Sequence, residues 1–281
     1  MRLVWQLVAV AAVALIGSQG VAAVRGNPWL TPALGLLTAV LAVLVHGWVV
    51  RRTEHRPSLD VAREGAAAAI GRGVLIGVAM FGAVIVNIAF LGGYEINGLG
   101  SLTGAAGLFG LMAAASVTEE LMFRGILFRI VEERTGTWIA LALTGLLFGL
   151  MHLFNPNAGL WGAIAIAIEA GGMLGAAYAA TRNLWVPIGL HFGWNFAASG
   201  IFSTVVSGNG TTRGLLDATM SGPVLITGGD FGPEGSLYSV LFGVLLTIVF
   251  LRLARRRGHL VPRPARRRRA DRIAADATLP R

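Results

Sequence analysis

Cysteine and lysine are both missing from the 281 residues. Without cysteine there are no disulfides, no thiolate metal ligands and no cysteine nucleophile. Without lysine the whole basic complement is arginine, and it leaves a net charge of +9. Charge of either sign is scarce, at 13% of residues, where a soluble domain carries about 25%. Apolar residues make up 55% of the chain, and the mean hydropathy is +0.69. Several apolar runs reach the roughly 18 residues that mark a membrane helix. The composition is that of an integral membrane protein.

The runs predict helices at roughly 3–24, 28–50, 73–93, 104–130, 137–154, 160–180, 185–206 and 236–254. The expected fold class is all-α, a polytopic membrane bundle of about eight transmembrane helices. The first run resembles a secretory signal, with Arg2, an apolar core and the small residues VAA at 21–23. It is long for a signal core and reads as a retained span. Segment 53–72 carries charges around AAAAI and predicts an interfacial amphipathic helix. Segment 207–235 is rich in Gly, Ser and Thr and reads as an external loop without a chemical motif. The chain is expected to divide into N-terminal helices (1–103), a helical core (104–206), the loop with the last span (207–254) and a basic tail (255–281).

Arginine sets the expected orientation. Arg2, the group Arg51, Arg52, Arg56, Arg63 and Arg72, then Arg129, Arg134, Arg182 and the basic tail fall on one side if every helix crosses. The other side has Arg25 and Arg213 and mostly small, polar or acidic residues. The bias predicts cytoplasmic termini in a cell membrane. The tail, with Arg255 to Arg257 and Arg266 to Arg269, is expected to meet anionic lipid. No nucleic-acid module accompanies it, so no nucleic-acid partner is expected.

Polar residues inside the spans carry the chemistry, because each charge at mid-span costs about 2.5–3.5 kcal/mol. Glu119, Glu120 and Arg124 sit in TEELMFRG. Glu120 and Arg124 are at i and i+4 in the favourable order for pairing. Glu119 lies about 100° around the helix from Glu120, free to act as a base, although a structural ion cluster is the plain alternative. His152 follows Phe148 by one turn in FGLMH. It can share a water with a carboxylate, or simply sit at the interface. His191 and Asn195, in HFGWN, face one way and can donate to a developing oxyanion. Interhelical hydrogen bonding is the alternative for that pair. Glu169 is a further buried acid, while His46 and Asn87 read as packing groups.

EExxxR at Glu119–Arg124, FxxxH at Phe148–His152 and HxxxN at His191–Asn195 occur in one order. With the preceding NLWVPIGLH, this arrangement resembles the CPBP intramembrane proteases, which include the CAAX prenyl endoproteases and the bacteriocin-processing or immunity (Abi) enzymes. The likeness covers about residues 104–200. It implies a peptidase acting on a membrane-associated peptide or protein, prenylated or a leader peptide. In that family's terms Glu119 and His152 activate water, His191 and Asn195 form the oxyanion hole, and Glu120 and Arg124 support the motif helix.

The family has carried a metalloprotease label, so zinc has to be weighed, with Glu119, Glu120, His152 and His191 as ligands. There is no HExxH, and Arg124 beside the acids opposes a cation. The expectation is therefore a metal-free enzyme without a cofactor. Serine chemistry through Ser116 lacks a visible triad spacing. An ion-coupled transporter, or a scaffold that retains the motifs, is the alternative from another class. Because Glu119 lies ten residues before Arg129, the site is expected about 15 Å below the arginine-bearing surface.

Overall fold

The computed structural model describes residues 1–24, 26–210 and 213–263. Arg25 and the tail arginines Arg266 to Arg269 lie outside the described residues. The helices are α1 (Arg2–Ala23), α2 (Leu30–Glu54), α3 (Ala66–Phe90), α4 (Leu102–Thr135), α5 (Thr137–Phe154), α6 (Leu160–Thr181), α7 (Trp185–Phe196) and α8 (Leu237–Arg256). Among the described residues seven helices are long and apolar enough to cross a membrane. The chain is a polytopic helical bundle.

The run expected at 185–206 is the one that falls short. It is helical as α7, continues as a π turn over Ala197–Ile201 and stops there. Its residues from Val186 to Asn195 are nearly all buried. α3, α4 and α6 pack against it, so it needs neither the length nor the lipid-facing surface of an outer span.

Hydrogen bonds gather the helix ends into two groups. At one end Glu54 of α2 accepts from Gln6 of α1 at 2.8 Å and from Arg129 of α4 at 2.8 Å. Arg182 at the end of α6 pairs with Glu132 of α4, and Thr137 N–H donates to the Val261 carbonyl after α8 at 3.0 Å. The Leu184 N–H before α7 donates to the Asp60 carbonyl at 2.8 Å, and the Asp60 carboxylate meets His46 of α2 at 3.3 Å. This arginine end therefore holds the start of α1, α5 and α7 and the end of α2, α4, α6 and α8. The remaining loops meet at the far end, where Asn157 N–H reaches the Gly208 carbonyl and Gly208 N–H reaches that of Phe231.

Two features depart from the expected architecture. Segment 53–72 is not a separate interfacial helix. α2 ends at Glu54, a 3₁₀ turn covers Leu59–Val61, and α3 already starts at Ala66. Gly65, at φ +68°, makes the left-handed turn into α3, and the AAAAI run simply feeds the apolar helix. The all-α expectation also missed an antiparallel ribbon at the far end, β1 (Tyr94–Leu99) with β2 (Leu216–Met220). Its strands are too short to show alternation in the sequence, and its register slips between Ile96 and Gly98.

Glycine sets how closely the helices approach. A methyl group at Gly77 of α3 would lie 2.3 Å from the Leu190 carbonyl oxygen of α7, and one at Gly193 of α7 would lie 2.5 Å from that of Val74. Gly171, in the AGGMLGAA stretch of α6, meets Gly145 of α5 backbone to backbone, with the nearest atom at 2.7 Å from its ideal Cβ. Small residues of this kind let membrane helices pack by van der Waals contact. Gly71 and Gly82, on the same α3, face open space. Gly77→Val is expected to lower the melting temperature in detergent, by overpacking worth about 1–3 kcal/mol or more. Gly82→Ala should leave it within a degree or so of the parent, and equal melting of both variants would refute this account of the α3–α7 contact.

Candidate functional site

Among the described residues, π turns interrupt α4 and α6 and end α7, and each adjoins a polar motif. In α4 the π turn runs Leu121–Phe128, directly after Glu119 and Glu120. In α6 it runs Ala167–Gly172 around Glu169, and in α7 it follows Asn195. Such turns rotate side chains relative to a regular helix and recur at functional sites. Glu120 and Arg124 still pair, at 2.7 Å.

Glu120 is completely buried, and one of its oxygens, Oε1, takes two partners. Arg124 Nη1 donates to it from α4, and His191 Nδ1 from α7 lies 2.9 Å away. Arg124 is fixed further by donating to the Ala170 carbonyl of α6 at 2.8 Å, and its guanidinium carbon lies 4.6 Å from the centroid of the Phe148 ring. One carboxylate thus binds α4 to α7, while Arg124 binds α4 to α5 and α6.

Glu119, about 100° around the helix, approaches the other nitrogen of the same His191 ring. Its side chain is 31% exposed, and Oε2 lies 3.9 Å from His191 Nε2, beyond hydrogen-bond range. His152, in the last turn of α5, has Nδ1 2.7 Å from the Phe148 carbonyl. A carbonyl only accepts, so Nδ1 carries the proton and the Nε2 lone pair is left to accept. Glu119, His152, His191 and Asn195 line one cavity of about 1040 Å³, at the upper end of ligand-pocket sizes. Every residue singled out in the three motifs is therefore at or beside this cavity. Among the described residues no three His, Asp or Glu side chains converge closely enough to hold a metal ion.

Two further acids belong to the cavity wall. Glu169 is 1% exposed, and its Oε2 has no hydrogen-bond partner among the described residues. Glu234 was missed, because it lies in the Gly-rich loop read as having no chemical motif. It is 2% exposed and accepts from Trp194 Nε1 at 2.9 Å and from the Ser207 hydroxyl at 2.8 Å. Its position just before the last span was the available signal, taken only as a mark of sidedness. His46 and Asn87 are structural, His46 against Asp60 and Asn87 on the Ala83 carbonyl.

The cavity extends toward the end opposite the arginines. Its lining in α4 runs from Gly104 to Phe123, and its rim includes Asn27, Ser101, Thr103, Asn209 and Arg213, all at the far end. Toward the arginine end Leu121, Ile126, Phe128 and Leu184 are completely buried and fill the bundle. Counting residues along α4 could not tell toward which end the cavity extends.

Removing the charge of Glu120 should cost stability before anything else. Glu120→Gln leaves Arg124 without its carboxylate in a buried position, a loss on the order of 3–5 kcal/mol. The expected result is poor yield and a melting temperature several degrees lower in detergent. Glu119→Gln should melt like the parent, and equal stability of all three proteins would contradict this division of labour.

Residues 100–197 match the family model described as Type II CAAX prenyl endopeptidase Rce1-like. No curated protein and no solved structure matches the chain. The matched segment contains Glu119, Glu120, Arg124, His152, His191 and Asn195. The core built by residues 100–197 is thus similar to the Rce1-like type II CAAX prenyl endopeptidases.

Proposed function

We propose that the chain is an intramembrane endopeptidase in which Glu119 and His152 activate a water molecule. The observation that carries the reading is the asymmetry of the glutamate pair. Glu120 is buried, with Oε1 shared by Arg124 and His191 and Oε2 without a partner among the described residues, while Glu119 is part-exposed and faces the cavity without a hydrogen-bonded partner among them. A carboxylate in that setting is available as a general base.

The residues supply each step of hydrolysis. Glu119 takes the proton of a water that attacks the scissile carbonyl carbon, with His152 Nε2 accepting the second O–H. The carbonyl oxygen becomes an oxyanion, received by His191 Nε2–H and the Asn195 amide. His191 donates from Nε2 when it carries both ring protons, with Nδ1–H held by Glu120. Two carboxylates then face two cations, Arg124 and His191, and the cluster is balanced in charge. Collapse of the tetrahedral intermediate breaks the C–N bond, and the proton held by Glu119 or His152 passes to the leaving amine.

No step in this scheme uses a metal. Oε1 of Glu120 and Nδ1 of His191 already bond to each other, and the guanidinium of Arg124 lies where a second cation would have to be tolerated. That donor set does not fit a tetrahedral zinc site. The cavity's lining stops short of the arginine end, and a blind cavity suits hydrolysis better than transport. The arginine end is proposed to face the cytoplasm of a cell membrane, with both termini there and the arginines against anionic lipid. The substrate class is a membrane-associated peptide or protein.

Cleavage of a peptide library by the purified, reconstituted chain tests the reading. Glu119→Gln should lose about 10²–10⁴-fold in turnover, the usual contribution of a general base. Asn195→Ala should lose about 10²–10³-fold in kcat, as for one oxyanion donor, with little change in KM because that bond strengthens in the transition state. Activity should survive prolonged chelation. Near-parental turnover by Glu119→Gln, or loss of activity restored only by zinc, would refute the scheme.

A further inference from the structure

The cavity and the arginines lie at opposite ends of the molecule. The rim residues Asn27, Ser101, Thr103 and Asn209 come from the far-end loops, and these are uncharged polar groups. Arg213 is the one arginine among the described residues that lines the cavity. Arg51, Arg52, Arg56, Arg63, Arg134 and Arg182 all belong to the other end, with Arg255 to Arg257 at the end of α8. Between that end and the site lie the fully buried Leu121, Ile126, Phe128 and Leu184, and a separate cavity of about 570 Å³ at that end reaches Val117 of α4 but none of the site residues. Ion pairs of Glu54 with Arg129 and of Glu132 with Arg182 close the surface beyond them.

Arginine excess marks the cytoplasmic side of membrane helices that are joined by short loops. The loops at the arginine end are short, so the rule applies to them. A cavity whose exposed lining lies at the opposite end has its mouth outside. From this we infer that the site is loaded from the extracytoplasmic face, and that its substrates are peptide segments exposed there. Translocated leader segments and the external ends or loops of membrane proteins have that chemistry. A prenylated C-terminal tail presented from the cytoplasm does not reach Glu119 through this cavity. The substrate half of the inference rests on the peptidase reading, while the position of the mouth does not.

The absence of native cysteine gives a clean test. Single-cysteine variants Thr103→Cys and Asn209→Cys place a thiol at the rim, and Glu64→Cys places one in the exposed loop before α3 at the arginine end. Intact cells are treated with a membrane-impermeant charged maleimide, before and after permeabilisation. Both rim variants should label in intact cells, and Glu64→Cys only once the membrane is opened. The reverse pattern overturns the inference, and agreement between the two rim positions guards against one misfolded variant. In proteoliposomes of defined orientation, a peptide supplied at the rim side should be cut and the same peptide supplied at the arginine end should not. Cleavage from the arginine end alone overturns the inference even if the labelling agrees. External labelling with cleavage from neither face supports the mouth and overturns both the peptidase reading and the substrate half.

Discussion

The structure depends on a single buried carboxylate. Glu120 has no exposed surface, and Oε1 is shared between Arg124 on its own helix and His191 on α7. A charge in that position is tolerated only with partners, since removing one partner of a buried pair costs several kcal/mol. The pairing fixes the rotation of α4, which decides where the neighbouring Glu119 points. It also fixes the Nδ1 side of His191, which decides what Nε2 can do. Arg124 extends the constraint through the Ala170 carbonyl and the Phe148 ring to α6 and α5. Four helices are thereby set around one cavity by one set of charge-assisted contacts, and the side chains proposed for chemistry are those left unused by it.

Much of this arrangement was legible in the chain. Charges inside apolar runs stand out against their cost, and i,i+4 spacing in helices converts directly into shared faces. Glu120 with Arg124, Phe148 with His152 and His191 with Asn195 were all recoverable in that way, as was the rotation of Glu119 away from the Glu120–Arg124 pair. The bundle was legible too, because a span declares itself by length and apolarity. α7 was overestimated for the same reason. A helix buried by its neighbours can be as apolar as a lipid-facing one while being shorter.

What stayed hidden depends on packing between distant segments. Glu234 becomes a buried acceptor only because the loop after β2 folds back onto Trp194 and Ser207, and a Gly-rich loop gives no periodicity from which to infer that. The π turns leave no trace in composition. The direction of the cavity follows from where Leu121, Ile126, Phe128 and Leu184 converge, three residues of α4 and one preceding α7. Distance along one helix could not reveal a plug made by two.

The central claim is that Glu119 acts as a base toward water and never forms a bond to the substrate. Single-turnover cleavage in ¹⁸O-enriched water, with enzyme in excess over a reconstituted peptide, tests it most directly. If water attacks the carbonyl, the new C-terminal carboxylate carries one ¹⁸O from the first turnover, and the peptide of the enzyme containing Glu119 keeps its natural mass. If Glu119 were instead a nucleophile whose mixed anhydride is hydrolysed at the glutamyl carbon, the first-turnover product would be unlabelled and the ¹⁸O would appear in Glu119, and the account would be wrong.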